Sequence, residues 1–150
     1  AYGHPDHIAV SQLTTAAVIA AADSAVTPAG DVALRPHAVK KLYYLAWPAS
    51  TWAAYERAIG RLSSIVEGCE RLATPWPDWA ITTTIDARAA CPVVRRAINC
   101  HVSQVAAYAR LQELPEAHHE ALWGSQSFYR AFSTVNGGRS RETDLFEGIE

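Results

Sequence analysis

The sequence predicts an α/β fold, and three observations predict it. Apolar residues recur at helical spacing from Ile8 to Ala22 and again in two later stretches. Runs rich in β-branched and aromatic residues stand between and after them, at 41–47, 80–85 and 127–132. The two kinds of segment alternate along the chain, which is the order found in layered helix-on-sheet proteins. A length of 150 residues suits one domain with its own core, and a hydrophobic content of 49% is ordinary for one.

Taken in order, Ile8, Val10, Leu13, Ala17, Val18 and Ala21 place a first helix from about Asp6 to Asp23. Its many alanines favour helix and permit close packing. Ser24 to Pro36 contains the turn-rich Thr27-Pro28-Ala29-Gly30. Lys41 to Trp47 reads as a strand stopped by Pro48, with Tyr43 and Tyr44 as packed strand residues. Ser50 is the expected cap of a second helix. Tyr55, Ile59, Leu62, Val66 and Cys69 form its stripe, Arg57, Arg61 and Glu67 lie off that stripe, and Gly68 stands near its expected end.

Pro75-Trp76-Pro77-Asp78-Trp79 cannot continue a helix and reads as a rigid loop. Its two Trp side chains could stack on a sugar, but are expected to seal the loop onto the core. Ala80 to Ile85 alternates as a second strand, with Asp86 ending it and placed to cap the next segment. A third helix is expected from Ala87 or Pro92 to Leu111, with Val94, Ile98, His101, Val105 and Tyr108 on its buried stripe. Pro115 starts a short helix to about Trp123. Within it His118-His119-Glu120 reads as a solvated polar stretch, because adjacent helical residues point apart. Ser127 to Phe132 is the last strand, Asn136-Gly137-Gly138 a turn, and Arg139 to Thr143 a charged tail leading to Asp144-Leu145-Phe146.

Several function classes are disfavoured. A net charge of -2 gives no basic footprint for nucleic acid. No apolar run reaches the roughly 18 residues of a membrane span. Cys69, Cys91 and Cys100 form no CxxC and cannot all pair, so reduced thiols and a cytoplasmic location are expected. The chain has no GxGxxG, no phosphate loop and no GxSxG elbow.

The chemistry concentrates in Tyr2-Gly3-His4-Pro5-Asp6-His7, at the mouth of the first helix. Two imidazoles and a carboxylate fall within four residues. His is the commonest metal ligand, and a neighbouring carboxylate can orient its ring. Pro5 suits a turn entering a helix. The helix dipole favours anionic partners at this end. These residue types are those of a metal-assisted hydrolytic site.

This hexapeptide, followed by Ile8-Ala9-Val10, resembles the second signature motif of the PIG-L/LmbE-like zinc-dependent N-deacetylases. Weaker likenesses continue through Lys41-Leu42-Tyr43-Tyr44, Ile85-Asp86, His101-Val102-Ser103-Gln104 and Asp144-Leu145-Phe146. The resemblance implies a Rossmann-like layered fold. It also implies a zinc-dependent hydrolase that removes an acyl group from an N-acylated amino sugar or related conjugate. By the same resemblance His7 is a ligand of Zn2+. His4 stabilises the oxyanion with Asp6 as its partner, and Tyr2 lends its hydroxyl to the acyl site. His101 and Gln104 are expected to share a polar pocket that opens on the same site. The family's earlier His-Pro-Asp-Asp motif, which supplies the other zinc ligands and the general base, is absent from this chain, and the chain has no Met. The expectation is therefore the C-terminal half of a larger enzyme, inactive alone, with the apolar face of its first helix open. The alternatives are a non-catalytic lobe with an incomplete metal site, or a bare His-x-x-His metal-binding helix.

Overall fold

The computed structural model describes residues 4–26, 35–61, 63–105, 109–138 and 140–149, the side chains of Ile59, Ser64, Gln104 and Val105 excepted. The first helix, α1 (Pro5–Ala22), forms as its periodicity predicts. The Thr27–Gly30 turn lies outside the described residues. The strand β1 (Lys41–Leu45) follows, and then the helix α2 (Ala49–Ile59).

Here the chain departs from its expected course. Pro48, not Ser50, is the cap residue of α2, and no side chain bonds to that helix end. Gly60, at φ 87°, then stops the helix in a conformation that residues with a Cβ rarely adopt. Instead of continuing, the chain folds into a hairpin of β2 (Ser63–Val66) and β3 (Cys69–Leu72). Glu67 and Gly68, at φ 52° and 77°, make the turn, and the sign of both angles matches a two-residue type I′ connection. Val66 and Cys69 are thus a cross-strand pair, not successive steps of a helical stripe.

After Pro77 a 3₁₀ turn (Asp78–Ala80) shortens the second predicted strand to β4 (Thr83–Asp86). The long third helix is broken into a 3₁₀ turn (Arg88–Ala90), α3 (Cys91–Asn99) and the single turns α4 (Val102–Val105) and α5 (Ala109–Gln112). The break falls at Asn99-Cys100-His101, three residue types of middling to poor helix propensity. Cys100 and His101 close α3 with short bonds to the carbonyls of Ala97 and Ile98. His101 is therefore exposed in the linker and not on a buried stripe, which corrects the expectation from spacing. The helix α6 (Glu116–Trp123) and the long strand β5 (Ser125–Ser133) form as expected.

The main sheet has the order β1-β5-β4, and both pairs are antiparallel. Between Leu42 and Tyr43 the register slips, so that Leu42 faces Phe132 while Tyr43 faces Arg130. This bulge places Arg130 opposite Tyr43. Tyr43 and Tyr44 point to opposite faces, as neighbours in a strand must. Tyr44 stacks on Tyr129, and Tyr129 stacks on Trp76 at 5.3 Å, so Trp76 seals its loop as expected. Trp79 does not, being 84% exposed.

The core lies among the helices. Ala54, Cys91, Leu111, Leu122 and Trp123 are buried together, flanked by Tyr55, Ala58, Val94, Ile98 and Leu114. Trp123 donates its Nε1–H to the Tyr55 hydroxyl at 3.2 Å, and Trp47 stacks on the Tyr55 ring at 4.5 Å. His119 is buried in the same region and stacks on Trp123 at 5.0 Å, so only His118 of the His118-His119 pair is solvated. The segment read as a charged tail is also partly interior: Glu142 is buried and bridges to Thr83. The chain is thus a mixed helix-and-strand protein.

Candidate active site

His4 takes its place from the start of α1. Its backbone is extended (φ -66°, ψ 128°), and its carbonyl accepts the first helical bond, from the Ile8 N–H at 3.1 Å. Pro5 follows at the position where a missing N–H costs nothing. The ring itself caps the helix, since Nδ1 of His4 accepts the backbone N–H of Asp6 at 3.2 Å. A neutral imidazole that accepts at Nδ1 carries its proton on Nε2. The cap therefore presents His4 as an Nε2–H donor.

The Asp6 carboxylate stands farther off, with Oδ2 4.0 Å from Nδ1 of His4, and is 83% exposed. Asp6 thus holds the ring through its backbone rather than through its carboxylate. His7, one turn of helix on, brings its ring centroid to 5.4 Å from that of His4, tilted by 58°. The structure brings together His4, Asp6 and His7. Tyr2 lies outside the described residues, as does the side chain of Gln104. His101 makes no side-chain hydrogen bond, ion pair or ring contact with a described residue.

Among the described residues, no group of three or more His, Cys, Asp and Glu side chains is placed to hold a metal ion. Catalytic zinc takes three protein ligands and keeps a fourth position open. The imidazoles of His4 and His7 have the right donor chemistry, but by themselves the described residues do not make such a centre.

The turn sits on a helix that keeps its apolar side chains in solvent. Ile8, Val10, Leu13 and Ile19 are 45 to 69% exposed, and no residue of α1 is buried. Of the stripe read from the sequence, Ile8, Val10, Leu13, Ala17 and Ala21 are exposed and Val18 is half-buried; Ile19, also exposed, lies off it. The helix meets the sheet through Thr15, whose hydroxyl lies 2.7 Å from that of Tyr44 on β1.

Two clefts lie at the opposite edge of the sheet, at β4, and no signal in the sequence points to either. The larger, about 600 Å³, is lined by Thr84, Asp86, Arg88, Glu120 and Ser125 among others. Arg88 grips the Asp86 carboxylate with both Nε and Nη2 and, with its backbone N–H, holds that carboxyl down at about 2. The second, about 540 Å³, lies between α2 and the same strand.

Comparison with known proteins gives one kind of relative. No family model matches the chain, and no solved structure matches it. The chain is 35% identical, over 99% of its length, to 1D-myo-inositol 2-acetamido-2-deoxy-alpha-D-glucopyranoside deacetylase of Rhodococcus jostii, of which it covers 51%. The protein of the same name from Rhodococcus erythropolis is 33% identical over 99% of the chain and 51% of its own length. That of Kineococcus radiotolerans is 31% identical over 99% of the chain and 43% of its own length. These names support the deacetylase expectation. Over nearly its whole length, then, the chain is similar to deacetylases of an N-acetylglucosamine conjugate, and it spans about half the length of the curated relatives it matches.

Proposed function

We propose that this chain is part of a PIG-L/LmbE-like, zinc-dependent N-deacetylase acting on an N-acetylglucosamine conjugate, and that it supplies the oxyanion side of the site. The observation that carries the reading is the cap at His4. Amide hydrolysis builds negative charge on the acyl oxygen, and a pre-aimed donor stabilises it at no cost of reorganisation. The Asp6 N–H fixes the His4 tautomer that has such a donor, Nε2–H. The positive end of α1 adds to the same effect. The similarity to named deacetylases along 99% of the chain supports the same chemistry.

In this reading His7 is one imidazole donor to zinc, with the remaining ligands and the general base outside the described residues. Tyr2 is a second donor to the acyl oxygen, and Gln104 with His101 borders the substrate. The chain alone is inactive. It is the C-terminal portion of a Rossmann-like layered domain, and the open apolar face of α1 packs against the remainder of that domain. The location is cytoplasmic; no helix among the described residues is long and apolar enough to cross a membrane.

The absence of a three-donor cluster among the described residues favours a second reading, a non-catalytic lobe. One experiment separates the two. Acetate release from N-acetylglucosaminyl-inositol is measured with the full-length parent and with its His4→Ala and His7→Ala variants, alongside zinc content. The deacetylase reading requires activity in the parent, metal loss in His7→Ala, and retained metal with lost turnover in His4→Ala. A parent that is folded, zinc-loaded and inert would leave the lobe reading.

A further inference from the structure

The cleft between α2 and the β4 edge of the sheet plays no part in the deacetylase reading. We infer that it is a binding site for a small molecule bearing a phosphate or carboxylate group.

Its floor is set by strand register. Thr84 pairs with Ser127, and Ser125 lies two residues along the same strand, so these three hydroxyl side chains stand on one face of the sheet. Ser127 is only 8% exposed, lines the cleft, and its hydroxyl makes no hydrogen bond with a described residue. The hydroxyl of a residue so nearly buried is ordinarily bonded within the protein. This one lines an open cavity, where it can donate a hydrogen bond to a ligand oxygen.

One wall is α2. Ser50, Ala54 and Arg57 line the cleft at a spacing that puts them on one helical stripe. This eleven-residue helix begins at the cleft, and no side chain caps its end. Ser50 and Thr51, both lining residues, stand in the first turn, whose N–H groups have no partner within a helix. Those N–H groups and the helix dipole favour an oxyanion.

The facing wall carries Arg141, whose Nη2 donates to the Asp78 backbone carbonyl at 3.1 Å and is steadied there. Arg57 makes no ion pair with a described residue. Two guanidiniums against the single carboxylate of Asp78 leave the lining with excess positive charge. A volume of about 540 Å³ falls in the range of small-molecule sites.

The site is separate from the His4–His7 turn. The outer strands of the sheet are β1 and β4. Helix α1 reaches the sheet at β1, through Thr15 and Tyr44, whereas the cleft opens at β4, and none of its lining residues belongs to α1.

The test is calorimetric titration of the chain with sodium phosphate, glucose 6-phosphate and citrate, each at constant ionic strength. Saturable binding of at least one probe is expected. It should weaken by about tenfold or more in Arg57→Ala and in Arg141→Ala, as the loss of a charge-assisted hydrogen bond implies. Arg57→Lys should recover part of the loss. Arg57 is exposed and makes no ion pair with a described residue, so its variants should unfold at the parent's denaturant midpoint, whereas Arg141→Ala also loses its bond to the Asp78 carbonyl and should unfold slightly earlier. Preference for the phosphates identifies a phosphoryl ligand and preference for citrate a carboxylate; either supports the site. No saturable binding of any probe, or binding unchanged in both alanine variants, overturns it.

Discussion

Lys41 Nζ donates to Glu142 Oε1 at 2.8 Å, and the two side chains, 101 residues apart, are each only 2% exposed. Glu142 is shared widely. Its Oε1 also meets Arg130 Nη1 at 2.8 Å and Asn136 Nδ2 at 2.5 Å, while Oε2 accepts from Tyr43 at 2.9 Å and Thr83 at 2.7 Å. Lys41 bonds in addition to the Glu147 carbonyl. One carboxylate thus ties the end of the chain to all three strands of the main sheet.

Removing that carboxylate should be expensive. Glu142→Gln leaves Lys41 and Arg130 without their counter-charge in a buried site, and breaking such a pair costs about 3–5 kcal/mol. Urea unfolding of parent and variant measures it. A loss below about 1 kcal/mol would mean that water replaces the carboxylate.

The same cluster sets a pH plateau. Burial would raise the Glu142 pKa, but hydrogen bonds from Lys41, Asn136, Thr83 and Tyr43 outweigh it and hold it far below 4.5. Burial would lower that of Lys41, but its bonds to Glu142 and Tyr43 hold it above 10.5. A depressed carboxylate contributes stability that is present above its unfolded value and lost as pH falls. A raised lysine contributes stability that is present below its unfolded value and lost as pH rises. Burial and its bond to Glu142 likewise hold the Tyr43 pKa above 10.0, so stability from this cluster should be level between 4.5 and 10.0 and decline on both sides. Glu142→Gln should remove much of the acid-side decline.

His119 predicts a second acid-sensitive element. Its ring is buried against Trp123, and neither nitrogen has a hydrogen-bond partner among the described residues. Burial pushes its pKa below 6.5, helped by Arg95 and His118 and opposed by Glu116 and by the nearby Leu114 backbone, which stands short of a well-formed hydrogen bond. Folding thus favours the neutral ring, and this contribution is lost as pH falls below 6.5. His119→Phe keeps a ring for the stack and removes two unsatisfied atoms. It should stabilise by about 1–3 kcal/mol near neutrality and flatten the decline just below it. A destabilised variant would show that the imidazole is satisfied after all.

The elements that are legible in the sequence are those encoded locally. Helix α1, strand β1, helix α6 and strand β5 each carry their own period and their own stop. The failures share a cause. Val66 and Cys69 stand three residues apart whether they are neighbours on a helix or the closing pair of a hairpin, and only the positive φ values at Glu67 and Gly68 decide between them. His101 fits a helical stripe only if the helix runs through Asn99 and Cys100, and it does not. Glu142 reads as part of a solvated tail because every partner that buries it is distant in sequence or lies across a turn. The His4-Asp6-His7 turn is visible because it is complete in four residues. The partners it would need for catalysis have no local signature here.

The hairpin turn can be tested at one position. Gly68→Ala places a Cβ at φ 77°, where an L-residue loses roughly 1–2 kcal/mol. Because β2 and β3 pair only with each other among the described strands, the loss should appear as faster hydrogen exchange confined to their amides. A uniform rise across α2 and α6 as well would show that the hairpin is an integral part of the core.

The cap at His4 allows its structural and chemical roles to be separated. His4→Asn keeps a side-chain acceptor for the Asp6 N–H, and Asn is among the best capping residues. His4→Ala removes acceptor and ring together and should loosen the first turn of α1 by about 1 kcal/mol. If the ring's Nε2–H stabilises an oxyanion, both variants of the full-length parent should lose about 10²–10³ in kcat, although only the alanine variant frays the helix. Asp6→Asn keeps the backbone N–H that holds the ring and should cost far less, because the carboxylate stands 4.0 Å from Nδ1. Circular dichroism of the helix and acetate release by the three variants decide the matter. Should His4→Asn retain full turnover, the ring is only a cap. Should Asp6→Asn match His4→Asn in its loss, the carboxylate, and not the backbone N–H, is the group that sets the imidazole.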